Sequence, residues 1–179
     1  SEDRKHFGLA LTMDVRANIA LASMPRHTDA PGRIDEPALA RFARSYIDRL
    51  RIRTPSDRRE VRLLSGGNQQ KVVIGKWLAT EPEILILDEP TAALDPRSEK
   101  EVFDAFAALS QGRTTLLITH RLGSVLMADR VLVMKRGRLI EDGTHAELLA
   151  RGGEYAELWQ LQASQYAGDV SPVPARPGA

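Results

Sequence analysis

The chain has 179 residues, with 25 Lys and Arg against 24 Asp and Glu, and no cysteine. This length suits one buried core, or one core with a small subdomain. The balanced charge gives no sign of a nucleic-acid or acidic-lipid partner, and the absence of cysteine excludes disulfides and fits a reducing compartment. The longest apolar stretches fall far short of the roughly 20 residues that cross a bilayer, and no basic-then-apolar leader opens the chain. We therefore expect a soluble, cytoplasmic protein.

The first 80 residues predict mainly helices. Asp14 is a candidate N-cap for a first helix. The apolar face of that helix contains Val15, Ile19 and Ala22. Residues 25–34 are rich in Pro and Gly and predict a loop, and a second helix is expected from Pro37. Its apolar side chains recur at spacings of three and four: Leu39, Phe42, Tyr46, Ile47 and Leu50. After the polar stretch TPSDRRE, a third helix is expected to begin near Asn68.

In the second half, strands and helices alternate, which predicts an α/β fold. The apolar run Ile84 to Leu87 is typical of a parallel strand covered on both faces. TTLLIT predicts a second buried strand that ends at His120. Between the two strands, Asp95 followed by Pro96 caps a helix that Gly112 ends. The apolar stripe of this helix contains Val102, Phe103, Phe106 and Leu109.

The last third of the chain predicts a hairpin and two helices. RVLVMK and RLIED are separated by Arg136 and Gly137, which favours a β-hairpin. Thr144 with Glu147 predicts a capping box. The last helix is marked by Tyr155, Leu158, Leu161 and Gln162. Residues 167–179 are rich in Pro and Gly, and we expect them to be disordered.

Two adjacent glycines, Gly66 and Gly67, lie in LLSGGNQQKVVIGKW directly before the third predicted helix. Without side chains, their backbone N–H groups are able to converge on an anion, and the helix dipole places partial positive charge at the same point. Ser65 adds a hydroxyl donor. Taken alone, the motif also fits an ordinary loop-to-helix joint.

Asp88 and Glu89 follow the first predicted strand, at the carboxyl end where open α/β sheets bind ligands. One carboxylate is suited to hold hydrated Mg²⁺ while its neighbour deprotonates an attacking water, so the pair suits phosphoryl transfer to water. His120 ends the next strand and is expected at the same edge, although a purely structural histidine is the alternative. A role as helix cap already explains an aspartate at position 95, and any further role would be additional.

The order and spacing of three motifs, LSGGNQQK, LILDEPTAALD and LLITHRL, resemble the nucleotide-binding subunit of an ATP-binding cassette (ABC) transporter. The resemblance extends over roughly residues 1–166. It implies an α/β fold in which part of a RecA-like P-loop NTPase core, a parallel sheet with helices, is joined to the ABC helical subdomain. The implied helical signature subdomain is residues 1–80, and the distal half of the ATPase core is residues 81–166.

The resemblance also implies roles for individual residues. The family's LSGGQ signature, which contacts the γ-phosphate of ATP held by the opposite subunit, corresponds to Leu64, Ser65, Gly66, Gly67, Asn68 and Gln69, with Asn68 inserted before Gln69. Asp88 is then the Walker B magnesium ligand, Glu89 the general base and His120 the switch histidine. The D-loop covers residues 92–95 and includes Asp95.

The family further implies ATP and Mg²⁺ as ligands, a second cassette as dimer partner, and transmembrane permease subunits as docking partners. Such a subunit is peripheral on the cytoplasmic face of the plasma membrane. No nucleic-acid partner is expected.

Two elements of the family pattern are missing. No G-x-x-x-x-G-K-[ST] occurs in the sequence, and the family has this loop upstream of the position of Ser1. Without its lysine these residues have no cradle for the phosphates of their own ATP, so we expect the isolated chain to be inactive. The Q-loop glutamine is also missing, and Glu2 stands near its place. In the family the phosphate-loop strand lies between the strand before His120 and RVLVMK, so its loss either leaves a gap or lets the flanking strands pair, with reduced stability.

The two halves resemble different branches of the family. Residues 1 to about 87 are similar to the second cassette of sugar importers, and residues from about 88 to 166 are similar to exporter cassettes. The predicted seam lies in LILDEPT, and a chimera or an unusual natural member would explain it. We expect the importer-like half to select the membrane partner.

Three functions are compatible with these features. The leading one is ATP hydrolysis that powers transport. A non-transport ABC ATPase is disfavoured, because long heptad arrays and a strongly basic segment are missing. The third is a fragment without ATPase activity of its own that lends its signature to another subunit's ATP.

Overall fold

The computed structural model describes residues 8–29, 31–91, 96–109 and 112–168. The chain divides into two compact units, one that extends to Ile118 and one that begins at Thr119. The first unit contains helices and a parallel strand pair, which confirms the α/β class. The division at residue 118 does not test the subdomain boundary expected at residue 80, which stays a prediction.

The first unit begins with a short helix, α1, Val15–Ala20, and a 3₁₀-helix, Leu21–His27, which continues into the predicted loop. Asp14 caps α1 as predicted and accepts a hydrogen bond from the Ala17 amide at 2.7 Å. Val15 and Ile19 are fully buried as expected. The prediction for Ala22 is wrong, since Ala22 is exposed and Ser23 is buried instead. A 3₁₀-helix has three residues per turn, so the apolar face shifts after α1 ends.

Helices α2, Glu36–Arg49, and α3, Gly66–Leu78, pack with α1 around the main core. The predicted face of α2 is confirmed, because Leu39 and Tyr46 are buried and the C-cap Leu50 is fully buried. Helix α3 begins at Gly66, two residues before the expected start. An ideal Cβ built on Gly75 would lie 3.1 Å from Leu50 Cδ1, so this glycine permits the close approach of α3 to the end of α2.

A parallel strand pair, β1, Ile84–Asp88, and β2, Thr114–Ile118, follows the helices. Helix α4, Pro96–Leu109, connects the two strands and packs its Val102, Phe103 and Phe106 into the same core as Leu85. Gly112, with φ of +75°, lies beyond the helix end as predicted.

The prediction that β1 is covered on both faces is wrong, and so is the prediction that β2 is buried. One face carries Leu85, Leu87 and Leu117 toward the core. The opposite face is open, and its apolar side chains are exposed: Ile84 64%, Ile86 64%, Leu116 46% and Ile118 49%. Successive strand residues point to opposite faces, and α3 and α4 supply core residues to one face only. An unbroken apolar run therefore marked the strand without revealing which face is covered.

The second unit consists of α5, Leu122–Val125, a hairpin of β3, Val131–Lys135, and β4, Arg138–Gly143, and two further helices. The hairpin turn is confirmed, since Arg136 and Gly137 both have positive φ, 51° and 73°, as a two-residue type I′ turn requires. Among the described strands, β2 pairs with β1 and β3 pairs with β4. The expected gap or re-pairing beside the missing phosphate-loop strand stays a prediction.

Helices α6, His145–Arg151, and α7, Glu154–Gly168, complete the second unit. The capping box of Thr144 and Glu147 is confirmed in both directions. Tyr155 of α7 is buried with Leu148 and Val133, and Gln162 is half-buried. The last helix predicted from the sequence is confirmed as α7, and within it Leu158 and Leu161 are 43% and 62% exposed.

Leu158 and Leu161 are exposed because α7 packs through the narrow side that carries Tyr155 and Trp159. Helix α7 also includes the first two residues of the tail that was expected to be disordered. Residues 169–179 of that tail lie outside the described residues.

Candidate functional site

The signature turn lies at the start of α3 and is partly accessible to solvent. Ser65 is the exposed N-cap, and its hydroxyl accepts hydrogen bonds from the Asn68 amide at 3.5 Å and from Asn68 Nδ2 at 2.9 Å. Gly66 and Gly67 form the first turn of this 13-residue helix and are half-buried. The first N–H groups of a helix have no acceptor within the helix, so this turn has the geometry that binds anions.

The next two signature residues, Asn68 and Gln69, form hydrogen bonds with the backbone of neighbouring segments. Asn68 Oδ1 accepts the Arg53 amide at 2.8 Å. Gln69 is 7% exposed, and its Nε2 donates to the carbonyls of Val61 and Leu64 at 3.2 and 3.1 Å. Leu64 itself is half-buried against the core. The nucleotide contacts expected of Leu64, Asn68 and Gln69 stay predictions. The hydrogen bonds of the Gln69 side chain to the two carbonyls were not evident from the sequence.

The acid pair lies at the carboxyl end of β1, as expected. Asp88 and Glu89 are both exposed. The backbone of Glu89 is left-handed, with φ of +41°, and its amide donates to the Ile118 carbonyl at 2.9 Å. This conformation is uncommon for a residue with a side chain, so the surrounding contacts must hold the turn.

Two residues that the sequence reading missed supply such contacts. Gln70 Nε2 of α3 donates to the Pro90 carbonyl at 2.8 Å, directly after the acid pair. Thr91 is 2% exposed, and its hydroxyl donates to Glu99 Oε1 of α4 at 2.8 Å. The signature helix and the turn that follows β1 are therefore in direct contact.

A buried lysine joins α3 to α4. The Lys71 side chain is 3% exposed, and Nζ lies 2.7 Å from Glu101 Oε2 and 3.2 Å from the Arg51 carbonyl. The hydrogen bond from Lys71 lowers the pKa of the Glu101 carboxyl and keeps it ionised. This ion pair therefore joins α3 to α4, which begins just after the predicted D-loop.

A second buried ion pair fixes the loop that precedes the signature. Arg16 of α1 donates to Asp57 Oδ2 through Nε at 2.8 Å and through Nη2 at 2.6 Å. Glu36 accepts from Arg16 Nη1 at 3.0 Å. The two paired side chains are only 9% and 6% exposed, for Arg16 and Asp57 respectively. TPSDRRE was expected to be a plain polar connection, and Asp57 instead anchors it to α1.

The described structure does not test the remaining predicted site residues. Strand β2 ends at Ile118, and His120 follows in the second unit, where it is exposed and its carbonyl accepts from Gln162 Nε2 at 2.6 Å. Its predicted place beside the acid pair stays a prediction. Asp95 and the other D-loop residues lie outside the described residues, as does Glu2.

An Mg²⁺ ion would be held by few protein groups. Within the described ranges, no three His, Cys, Asp or Glu side chains are grouped closely enough to hold a metal ion. Protein-bound Mg²⁺ commonly uses one or two carboxylates together with water and substrate phosphates. The exposed carboxylate of Asp88 at the end of β1 fits that pattern.

None of the described helices is long and apolar enough to cross a membrane.

Comparison with known proteins agrees with the motifs. A family model described as ABC transporter matches residues 5–92. The chain is 49% identical over 163 residues to the putative ribose/galactose/methyl galactoside import ATP-binding protein 1 of Burkholderia lata, covering 90% of this chain and 31% of that protein. It is also 42% identical over 150 residues to the ATP-dependent lipid A-core flippase of Bordetella avium, covering 83% of this chain and 25% of the flippase.

A solved structure of a bacterial Atm1-family ABC exporter with ATP bound superimposes with a TM-score of 0.69 at 33% identity. It matches 88% of this chain, which covers 27% of the exporter chain. The importer and flippase alignments each cover more than four fifths of this chain, so neither resemblance is confined to one half. The seam near residue 87 stays a prediction.

The chain spans about a third of the length of the curated importer subunit that it matches. The family model, the importer and flippase sequences and the exporter fold all identify the same class. Residues 5–92 match the ABC transporter family model, and the chain as a whole is similar to ATP-binding subunits of that family.

Proposed function

We propose that this chain is part of a nucleotide-binding subunit that hydrolyses ATP to power transport across a membrane. The observation that supports this most directly is the Gln70–Pro90 hydrogen bond, which joins the signature helix to the turn of the acid pair. In a dimer of cassettes, the signature turn of each subunit serves the nucleotide of its partner. The acid pair serves the nucleotide of its own subunit.

The signature turn has the groups needed to bind a terminal phosphate. The Ser65 hydroxyl is exposed and is able to donate to a phosphate oxygen, and the N–H groups at the start of α3 add partial positive charge. Phosphoryl transfer needs this kind of fixed charge stabilisation more than covalent chemistry. The predicted ligand of the Ser65–Gly66–Gly67 turn is therefore the γ-phosphate of a partner's ATP.

Glu89 is the proposed general base. Its carboxylate takes a proton from the attacking water as the water oxygen bonds to the γ-phosphorus and the bond to the ADP oxygen breaks. Asp88 would hold Mg²⁺, which supplies neutralisation of the phosphate charge when bound. We assign His120 the role of the switch histidine.

The proposed partners are a second cassette and the transmembrane subunits of a permease, with the subunit peripheral on the cytoplasmic face of the membrane. The importer relative is the more similar of the two sequences described, at 49% against 42% identity. We therefore propose that the helical part, residues 1–80, docks a sugar-import permease. Co-purification with exporter-type membrane subunits alone would contradict this.

The signature function is testable with the chain itself. We would label it with a fluorophore and titrate it with a complete ribose-import cassette whose general base is changed to Gln, so that ATP persists. We expect association with Mg²⁺–ATP and none with Mg²⁺–ADP. Ser65→Arg should weaken the association at least about tenfold, because a bulky side chain blocks close approach of the phosphate. The matched control is Ser164→Arg on the exposed side of α7, and equal behaviour of both variants would contradict the proposal.

The alternative function is a non-hydrolysing fragment that only lends its signature. The observation in its favour is that these 179 residues contain no G-x-x-x-x-G-K-[ST] loop. The chain alone should then bind ATP weakly, and hydrolysis at an ordinary rate would exclude this alternative. In a cassette completed with a phosphate loop, Glu89→Gln should lower turnover by about 10² to 10⁴. Unchanged turnover would remove Glu89 from its assigned role.

A further inference from the structure

The turn that follows β1 is held at three consecutive residues by three different elements. The Glu89 amide donates to the carbonyl of Ile118 in β2 at 2.9 Å. The Pro90 carbonyl accepts from Gln70 in α3 at 2.8 Å, and the Thr91 hydroxyl donates to Glu99 in α4 at 2.8 Å. The left-handed φ of +41° at Glu89 is a conformation that side chains disfavour. The orientation of the Glu89 carboxylate thus depends on contacts made outside its own strand.

Gln70 is the contact that comes from the signature helix. It lies five residues after Ser65, and a helix rises 1.5 Å per residue, so the two positions are about 7.5 Å apart along the axis of α3. An α-helix moves nearly as a rigid rod over this distance. A displacement of the signature turn therefore reaches the Gln70 amide, and through it the Pro90 carbonyl.

We propose that Gln70 is a positioning residue that couples the signature turn to the acid pair of this chain. Binding of a partner's nucleotide at the signature turn then fixes the orientation of Glu89. This inference rests on the proposed function. Gln70 touches neither nucleotide and acts through the Pro90 carbonyl. The next residue, Lys71, donates to Glu101 and to the Arg51 carbonyl rather than to the Pro90 carbonyl, so the contact of α3 with the turn itself is the one made by Gln70.

A glutamine is chemically suited to this task. Its primary amide does not ionise and so donates to a carbonyl regardless of pH, and its length allows it to reach from α3 to the turn. Methionine has a similar length and helix preference but no donor. Glutamate keeps the size and donates only when its carboxyl is protonated.

The first test uses hydrogen–deuterium exchange on the chain alone, which requires no nucleotide. In Gln70→Met, the peptide covering residues 84–91 should exchange about two- to tenfold faster than in the wild type, as expected for loss of one hydrogen bond. The control is Gln160→Met, an exposed glutamine of α7, which should leave this peptide unchanged. Equal exchange in the wild type and Gln70→Met would overturn the proposal.

A pH series separates positioning by the hydrogen bond from a simple packing effect. In Gln70→Glu, the protection factor of residues 84–91 should be low at pH 8. It should recover toward the wild-type value as the pH falls and the carboxyl becomes a donor, whereas Gln70→Met should show no recovery. Parallel pH profiles for the two variants would overturn the assignment of the hydrogen bond.

The coupling is tested by adding the complete partner cassette and Mg²⁺–ATP. In the wild type, we expect slower exchange both at residues 64–71 and at residues 84–91. In Gln70→Met, residues 64–71 should remain protected while residues 84–91 lose the response. If exchange at residues 84–91 slows equally in the wild type and in Gln70→Met, the proposed coupling is wrong. If residues 64–71 are not protected even in the wild type, the proposed signature function fails, and the coupling fails with it.

Discussion

The helices α1 to α3 and the β1–β2 strand pair belong to one compact unit but are packed differently. Around the helices, Ile19, Leu50 and Val72 have no exposed surface, and the Arg16–Asp57 pair closes the loop before the signature. On the strand pair, Ile84 and Ile86 are each 64% exposed on the open face. The comparison indicates that the helices carry the stability of the unit, whereas the strands mainly carry the chemical groups at their ends.

The largest expected effect is loss of the buried ion pair. Among the described residues, Asp57→Ala leaves the buried Arg16 guanidinium with the half-exposed Glu36 as its ion-pair partner, and such a change costs about 3 to 5 kcal/mol. Urea unfolding followed by circular dichroism should show a much lower midpoint. The control is Arg62→Ala, which breaks an exposed pair with Glu60 and should leave the midpoint nearly unchanged. A larger shift of the unfolding midpoint for Arg62→Ala than for Asp57→Ala would show that the buried pair contributes less stability than the exposed one.

A similar effect is expected from the apolar core of the helices. Leu50→Ala should lower the free energy of unfolding by about 2 to 5 kcal/mol, because the surrounding helices are unable to collapse fully onto the cavity. Leu50 has no exposed surface, whereas Ile86 is 64% exposed. In the same urea assay, Ile86→Ala should therefore have a much smaller effect. Comparable losses for the two variants would show that the strand pair contributes as much as the helices.

The ion pair also predicts a pH dependence. Burial alone would raise the pKa of the Asp57 carboxyl, but the hydrogen bonds and charge of Arg16 outweigh it, and the pKa is lowered. The stabilisation is then complete above the ordinary Asp pKa of about 3.9 and is lost as the pH falls through the lower pKa of the folded state. The stability difference between the wild type and Asp57→Asn should be constant from about pH 7 to 5. It should narrow below about pH 4, and a constant difference down to pH 2.5 would contradict the assignment.

A smaller loss of stability is expected in the second unit, from a substitution at a helix cap rather than in a core. Thr144→Ala removes the acceptor for the Glu147 amide at the start of α6 and should cost about 1 kcal/mol. The exchange rates of the first α6 amides report this change directly. Thr144→Ser, which keeps the hydroxyl, should restore most of the protection.

The smallest effect on stability is expected from Ile86→Lys on the open face. The side chain is already mostly in water, so the unfolding midpoint should change little. Solubility should rise, because a charge interrupts the apolar row. Light scattering at increasing protein concentration would measure this, and unchanged scattering would show that the open face does not associate.

Local signals made much of the fold predictable. Asp14, the Thr144–Glu147 capping box and the Arg136–Gly137 turn each depend on neighbouring residues, and each was confirmed. The open face of β1–β2 was not predictable, because an apolar run looks the same whether one face or both are covered. The sequence marked α7 as a helix but did not reveal that it is covered on one narrow side, which carries Tyr155 and Trp159.

In the candidate site, too, features set by neighbouring residues were predictable and features set by distant contacts were not. The signature turn and the acid pair were found because their motifs are contiguous in sequence. Gln70, Lys71 and Asp57 were missed because their partners are 20, 30 and 41 residues away along the chain. A glutamine, a lysine and an aspartate in polar stretches look like ordinary surface residues until the fold brings their partners to them.

The open face of the strand pair has a practical consequence for work with this chain. Four aliphatic side chains lie there in two parallel rows, and hydrophobic contacts strengthen on warming from low temperature and in excluded salts such as sulfate. Purification by ammonium sulfate or storage at high concentration therefore favours self-association through the sheet. Cold, dilute, low-salt buffers should keep the chain monodisperse.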